Sequence, residues 1–89
     1  MEKMTTLKIL NEEGLHARPA GVLAKAAAAY KSQIEIEFNG KTLNAKSIMS
    51  LMTSGLTYNA EFTLKVTGED ASEAITKIEE LINNKFNLH

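Results

Sequence analysis

Gly14-Leu15-His16-Ala17-Arg18-Pro19-Ala20-Gly21 is the stretch in which the chain changes from one backbone period to another. Before it, residues 5–10 alternate, with Thr5, Leu7 and Ile9 on one face and Thr6, Lys8 and Leu10 on the other, which reads as a strand. After it, Ala20, Leu23, Ala24 and Ala27 recur at i, i+3, i+4 and i+7, a small-residue face on a helix predicted from about 17 to 30. Pro19 suits the first turn of that helix, where its missing N–H would have had no partner. His16 therefore falls at or beside the N-cap, with the backbone N–H groups of Ala17 and Arg18 unpaired. Free N–H groups and the positive end of the helix dipole both favour an anion at such a position. Arg18 adds a planar guanidinium that can hold a phosphate through two hydrogen bonds. The plain alternative is a histidine that caps a helix beside a solvated charge.

The composition bounds the choice. Eighty-nine residues are enough for one small domain, expected over 1–89, and leave no room for a second core. A net charge of −1 gives no general attraction to nucleic acid or to an anionic membrane. The absence of cysteine removes disulfides and thiolate metal sites, and suits the cytoplasm. No metal or cofactor is expected. There is no signal-peptide pattern, and no apolar run approaches the roughly 20 residues that span a bilayer. The only other histidine, His89, ends the sequence and carries no functional expectation.

The remaining elements follow in order. Ile34, Ile36 and Phe38 alternate with Glu35 and Glu37 as a strand, and Asn39-Gly40 is a type I′ hairpin signal that returns the chain through Lys41-Thr42-Leu43. Lys46 to Thr53 reads as a short helix with Leu51 inward and Gly55 placed to end it. Ser47 stands at its start, where serine is a favoured N-cap. Phe62, Leu64 and Val66 mark a fourth strand. Ala71, Ala74, Ile75, Ile78, Leu81, Ile82 and Phe86 form the stripe of a last helix, with Asp70 and Glu73 as a capping-box variant and Glu73–Lys77 as an i,i+4 pair. The tail Asn87-Leu88-His89 is expected to fray. The order β-α-β-β-α-β-α, with strands polar on one face, predicts an α/β (α+β) open-faced sandwich with helices on one side only. An RNA-recognition sheet shares much of this order, but exposed faces carrying Glu35, Glu37, Glu61, Thr63 and Lys65 offer no aromatics for base stacking.

Two separated segments carry a resemblance. Residues 14–21, then Asn39-Gly40-Lys41 and Asn44-Ala45-Lys46-Ser47-Ile48-Met49, with Met52 and Gly55, closely resemble HPr, the histidine phosphocarrier family of the bacterial phosphoenolpyruvate-dependent sugar phosphotransferase system. The resemblance runs along essentially the whole chain. It implies four antiparallel strands under three helices, with His16 as the phosphohistidine, and Arg18 with the N–H groups of Ala17 and Arg18 stabilising the phosphate. It implies enzyme I as donor and the enzyme IIA domains of sugar transporters as acceptors. It further implies regulatory phosphorylation of Ser47 by an HPr kinase/phosphorylase, with a transcriptional regulator as a further partner. Ala20, Ile48, Met49 and Met52 would form the docking surface of a monomeric carrier that neither binds nucleic acid nor inserts into a membrane. The alternative is a regulatory HPr-like protein of a non-sugar branch, or a catabolite-repression co-effector acting mainly through Ser47. Gly21, Ser50 and Thr57-Tyr58-Asn59 depart from the family's usual residues, which bears on partner choice more than on fold.

Overall fold

The computed structural model describes residues 1–88, so His89 lies outside the described residues. Its elements are β1 (Glu2–Lys8), α1 (Ala17–Ala28), β2 (Gln33–Phe38), β3 (Lys41–Asn44), α2 (Ile48–Met52), β4 (Glu61–Thr67), α3 (Ala71–Asn83) and a 3-10 turn at Lys85–Asn87. The four strands form one sheet in the order β1-β4-β2-β3, every neighbouring pair antiparallel. Sequence periodicity finds the strands but not this order, because β4 inserts between β1 and β2 through contacts remote in sequence. The register places Leu7 opposite Phe62 and Ile36 opposite Leu64, so apolar side chains share one face. Leu7, Ile34, Ile36, Phe62, Leu64 and Val66 are all buried there.

The helices cover that face alone. Leu23, Ala24 and Ala27 of α1 and Ala74, Ile78 and Ile82 of α3 are buried in the same core, as their spacing predicts. Ile75 of the predicted stripe is only partly buried. The opposite sheet face carries Glu35, Glu37, Thr63 and Lys65, none of them in the core. Asn39 and Gly40 both have positive φ, 54° and 79°, as a type I′ turn requires. No helix among the described residues is long and apolar enough to cross a membrane.

Several local expectations change. β1 starts at Glu2 and ends at Lys8; Ile9 is still buried, but its N–H donates to the carbonyl of Ala60, beyond the ladder. α2 is shorter than 46–53, and it ends at Thr53 and not at Gly55. The Ser54 hydroxyl satisfies the carbonyl of Leu51 at 2.6 Å, which closes the helix before the glycine is reached. Asp70 does not form a capping box. Its carboxylate accepts the N–H groups of Lys31 and Ser32, each at 2.9 Å, and the Ser32 hydroxyl, binding the start of α3 to the entry of β2. Lys77 pairs with Glu80 at 3.8 Å and not with Glu73, in an exposed contact of little energetic weight. The tail does not fray through residue 88, because Phe86 is buried at 1% exposure and Leu88 packs against the core.

Candidate functional site

α1 begins where the loop after β1 meets the loop before β4. Gly14 has φ +68°, and a Cβ there would stand 2.8 Å from the carbonyl oxygen of Leu56, so only glycine permits the approach. The N–H of Leu15 then donates to that same carbonyl at 2.9 Å, and the buried Leu15 side chain anchors the segment. His16 follows as the N-cap in extended conformation, with φ −78° and ψ −175°. Its carbonyl accepts the N–H of Ala20 at 2.9 Å, the first bond of the helix.

That bond leaves the start of α1 open. Pro19 has no N–H to satisfy, and the His16 side chain makes no capping bond. Among the described residues no acceptor faces the N–H groups of Ala17 or Arg18. No acidic residue lies in the first turn to offset the dipole. His16, Ala17 and Arg18 are all exposed. A nucleophilic ring, two free amide donors and a guanidinium thus lie together at the positive end of a 12-residue helix. This arrangement suits a dianionic group carried on the ring. Gly21, half-buried in the next turn, has open space where a Cβ would stand, so sterics do not require a glycine.

Two residues of the loop between β1 and α1, Asn11 and Glu13, belong to this neighbourhood. Asn11 is buried, its Nδ2 donates to the carbonyl of Gly14 at 2.8 Å, and its Oδ1 has no partner among the described residues. Glu13 is exposed, and its carboxyl sits below the usual carboxylate range. The cause is first its own backbone N–H and the Asn11 amide, then the positive fields of Arg18 and His16. The usable signal was an asparagine three residues before a glycine, the spacing of a side chain that closes its own turn.

Ser47 is the N-cap of α2, and its Oγ accepts the N–H of Ser50 at 3.2 Å. α2 packs beside α1, and Lys46 Nζ donates to the carbonyl of Tyr30 at 2.8 Å, just past the end of α1. Leu51 is fully buried, as predicted, while Ile48, Met49 and Met52 are 46%, 70% and 45% exposed. Ser47, Ile48, Met49 and Met52 therefore bring together one capping hydroxyl and three exposed apolar side chains. Ala20 does not join them. It is fully buried in the core with Leu23, Ala24 and Ala27, the residues that share its face of α1. Ala20 cannot be a docking residue.

Comparison with known proteins agrees with the fold. Residues 3–84 match a family model described as the PTS HPr component phosphorylation site. The crystal structure of HPr-C-His from Thermoanaerobacter tengcongensis is 40% identical, with 98% of each chain covered and a TM-score of 0.93. The histidine-containing phosphocarrier protein of Mycoplasma is 39% identical over 93% of this chain and 96% of its own, with a TM-score of 0.86. Crh, the catabolite repression protein of Bacillus subtilis, crystallised as an intertwined dimer, is 35% identical over 89% of this chain and 91% of its own, with a TM-score of 0.76.

Proposed function

The chain belongs to the HPr family of the phosphotransferase system, and from that premise we propose that it accepts a phosphoryl group on His16 from enzyme I and passes it to the enzyme IIA domains of sugar transporters. The unprotonated ring nitrogen Nδ1 of His16 attacks phosphorus on the donor phosphohistidine. The new N–P bond forms as the donor's N–P bond breaks, and the donor ring keeps the electron pair. No atom is oxidised or reduced, and the same exchange run onward delivers the group to the acceptor histidine. The protein is a covalent relay and not an enzyme that turns over a small substrate.

The single observation that carries this reading is the open start of α1. The N–H groups of Ala17 and Arg18 have no acceptor among the described residues, and they stand beside an exposed histidine at the positive end of the dipole. Arg18 supplies the charge that spreads over the transferring oxygens. One chain holds every residue involved, so the carrier works as a monomer, in the cytoplasm where its donor is charged. Ile48, Met49 and Met52 form the apolar surface on which partners dock, with methionine tolerating several partner shapes. Phosphorylation of Ser47 by an HPr kinase/phosphorylase would place charge beside that surface and create a face for a transcriptional regulator.

A second reading, a regulator acting mainly through Ser47, is favoured by the likeness to Crh. The presence of both His16 and Arg18 favours the carrier. Incubation with enzyme I and phosphoenolpyruvate tests the choice. The carrier gains the mass of one phosphoryl group, labile in acid, and His16→Ala gains none. An acid-stable adduct, or labelling that persists in His16→Ala, would overturn the reading.

A further inference from the structure

The sheet ends in two strands with free edges, and the two differ. β3 has four residues, and its one charged side chain, Lys41, has no acid on that strand to answer it. β1 has seven, Glu2–Lys8, in unbroken register with β4, with neither the proline nor the bulge that blunts many edges. The same register runs one pair further at each end. The carbonyl of Met1 accepts the N–H of Gly68, and the N–H of Ile9 donates to the carbonyl of Ala60. Backbone groups alternate in direction along a strand, so the odd residues bond β4. The N–H and C=O groups of Glu2, Met4, Thr6 and Lys8 therefore point away from the sheet. All four residues are exposed, and their side chains share the sheet face that no helix covers.

We propose that the free edge of β1 is a pairing surface for a second copy of this chain, in an antiparallel two-fold register that sets Glu2 of each copy opposite Lys8 of the other. The phase of the backbone and the placement of charge select that register independently. Only outward-pointing residues can exchange hydrogen bonds across the edge, so an even-numbered residue must meet an even-numbered one. Setting Glu2 against Lys8 sets Met4 against Thr6, and every outward N–H and C=O of both strands then has a partner. A shift of two residues either way leaves outward groups of β1 unpaired and separates the charges. Glu2 would then meet Thr6, or Lys8 would meet Met4. In the chosen register, opposite charges meet twice about the two-fold axis, as a self-complementary interface requires. Glu61 stands opposite Lys8 on β4, yet no ion pair joins them among the described residues, so the ammonium remains available to Glu2 of the second copy. Lys3, on the other face, meets Leu7 and no like charge. α2 lies against β3 at the far edge of the sheet, so the pairing does not cover Ile48, Met49 or Met52. One pair of short strands buries less than a standard interface, so the dimer forms at roughly millimolar and not micromolar chain concentration.

Sedimentation equilibrium of the full chain, from micromolar to millimolar concentration, reads the association. Wild type is expected to be monomeric at the low end and to dimerise reversibly at the high end, more weakly in salt. Glu2→Lys and Lys8→Glu each set like charges opposite one another twice, and each should weaken self-association by about tenfold or more. Mixed together, these two variants regain both charge pairs in a heterodimer and should associate like wild type. Lys3→Glu changes the net charge as Lys8→Glu does but lies outside the charge pairs. It should self-associate within about twofold of wild type, and mixing with Glu2→Lys should not restore that variant. A chain that stays monomeric at millimolar concentration, reversal variants that associate as well as wild type, or a mixture no stronger than its components would overturn the inference. So would a dimer that survives dilution, which signals exchange of strands between copies and not pairing of their edges.

Discussion

Two helices of this protein begin in opposite ways. α1 opens with His16, whose side chain caps nothing, while α2 opens with Ser47, whose hydroxyl accepts the N–H of Ser50. The difference follows from what holds each helix in place. α1 has 12 residues and buries Pro19, Ala20, Leu23, Ala24 and Ala27, so packing fixes it and its free N–H groups stay available to an incoming anion. α2 has five residues and one buried side chain, Leu51, so its start needs the cap. One helix start is open to an anion; the other is closed by the Ser47 hydroxyl, the group on which the proposed regulation acts. α3 is a third case: Asp70 at its start gives its oxygens to Lys31 and Ser32 of another segment.

The largest expected effect breaks the comparison by charging the closed start. Ser47→Asp puts an anion beside Ile48, Met49 and Met52, where a docking partner must desolvate it. A loss of about 2–3 kcal/mol of binding lowers the efficiency of His16 phosphorylation by roughly 30–150-fold. The rate at sub-saturating enzyme I checks it, alongside a melting curve that should remain intact, since the dipole tolerates a negative charge there. Labelling as fast as wild type would return Ser47 to a purely capping role.

Arg18→Lys sharpens the open start. It keeps the charge but loses the planar fork, and slows transfer by about tenfold, equivalent to about 1.4 kcal/mol. Transfer at the wild-type rate in both directions would make Arg18 a solvated charge. Stability separates the two starts on a smaller scale. Ser47→Ala removes the cap and costs about 1 kcal/mol, whereas His16→Ala removes no hydrogen bond and stays within about 0.5 kcal/mol. Denaturant titration of both variants against wild type reads the contrast, and equal losses would dissolve it.

The third start makes a prediction about pH. The Ser32 hydroxyl first, then the N–H of Lys31, hold the Asp70 carboxyl below its ordinary value of 3.8. A depressed carboxyl stabilises the fold above that ordinary value, and the contribution disappears as pH falls through the lower folded one. Melting temperatures of wild type and Asp70→Asn should therefore differ at neutral pH and converge well below pH 3.8. A gap that is constant with pH would remove Asp70 from the account.

What the sequence made legible were the features set by local period. Alternation found the apolar faces of the strands, and the i, i+3, i+4 spacing found the buried faces of α1 and α3. Asn39-Gly40 found the hairpin because only a few residue pairs accept two positive φ angles. The open helix start at His16 was legible because its parts lie within three consecutive residues. What stayed hidden depends on partners far away in sequence. The carboxylate of Asp70 finds Ser32 across 38 positions, and no capping pattern records that. Phe86 turns inward through a backbone with φ +59°, which helical periodicity does not foresee. The resemblance puts Ala20 on the docking surface, but its place on the i, i+3, i+4, i+7 face with Leu23, Ala24 and Ala27 points inward, and its burial follows that face.

The central claim is that the open start of α1, and not its proximity alone, holds the phosphoryl group. The most direct measurement is the amide spectrum of the protein before and after phosphorylation by enzyme I and phosphoenolpyruvate. The N–H signals of Ala17 and Arg18 should move downfield and gain protection from exchange as they donate to the phosphate, while that of Ser50, already bonded to Ser47, stays in place. A phosphorylated His16 with unmoved signals at Ala17 and Arg18 would contradict the account.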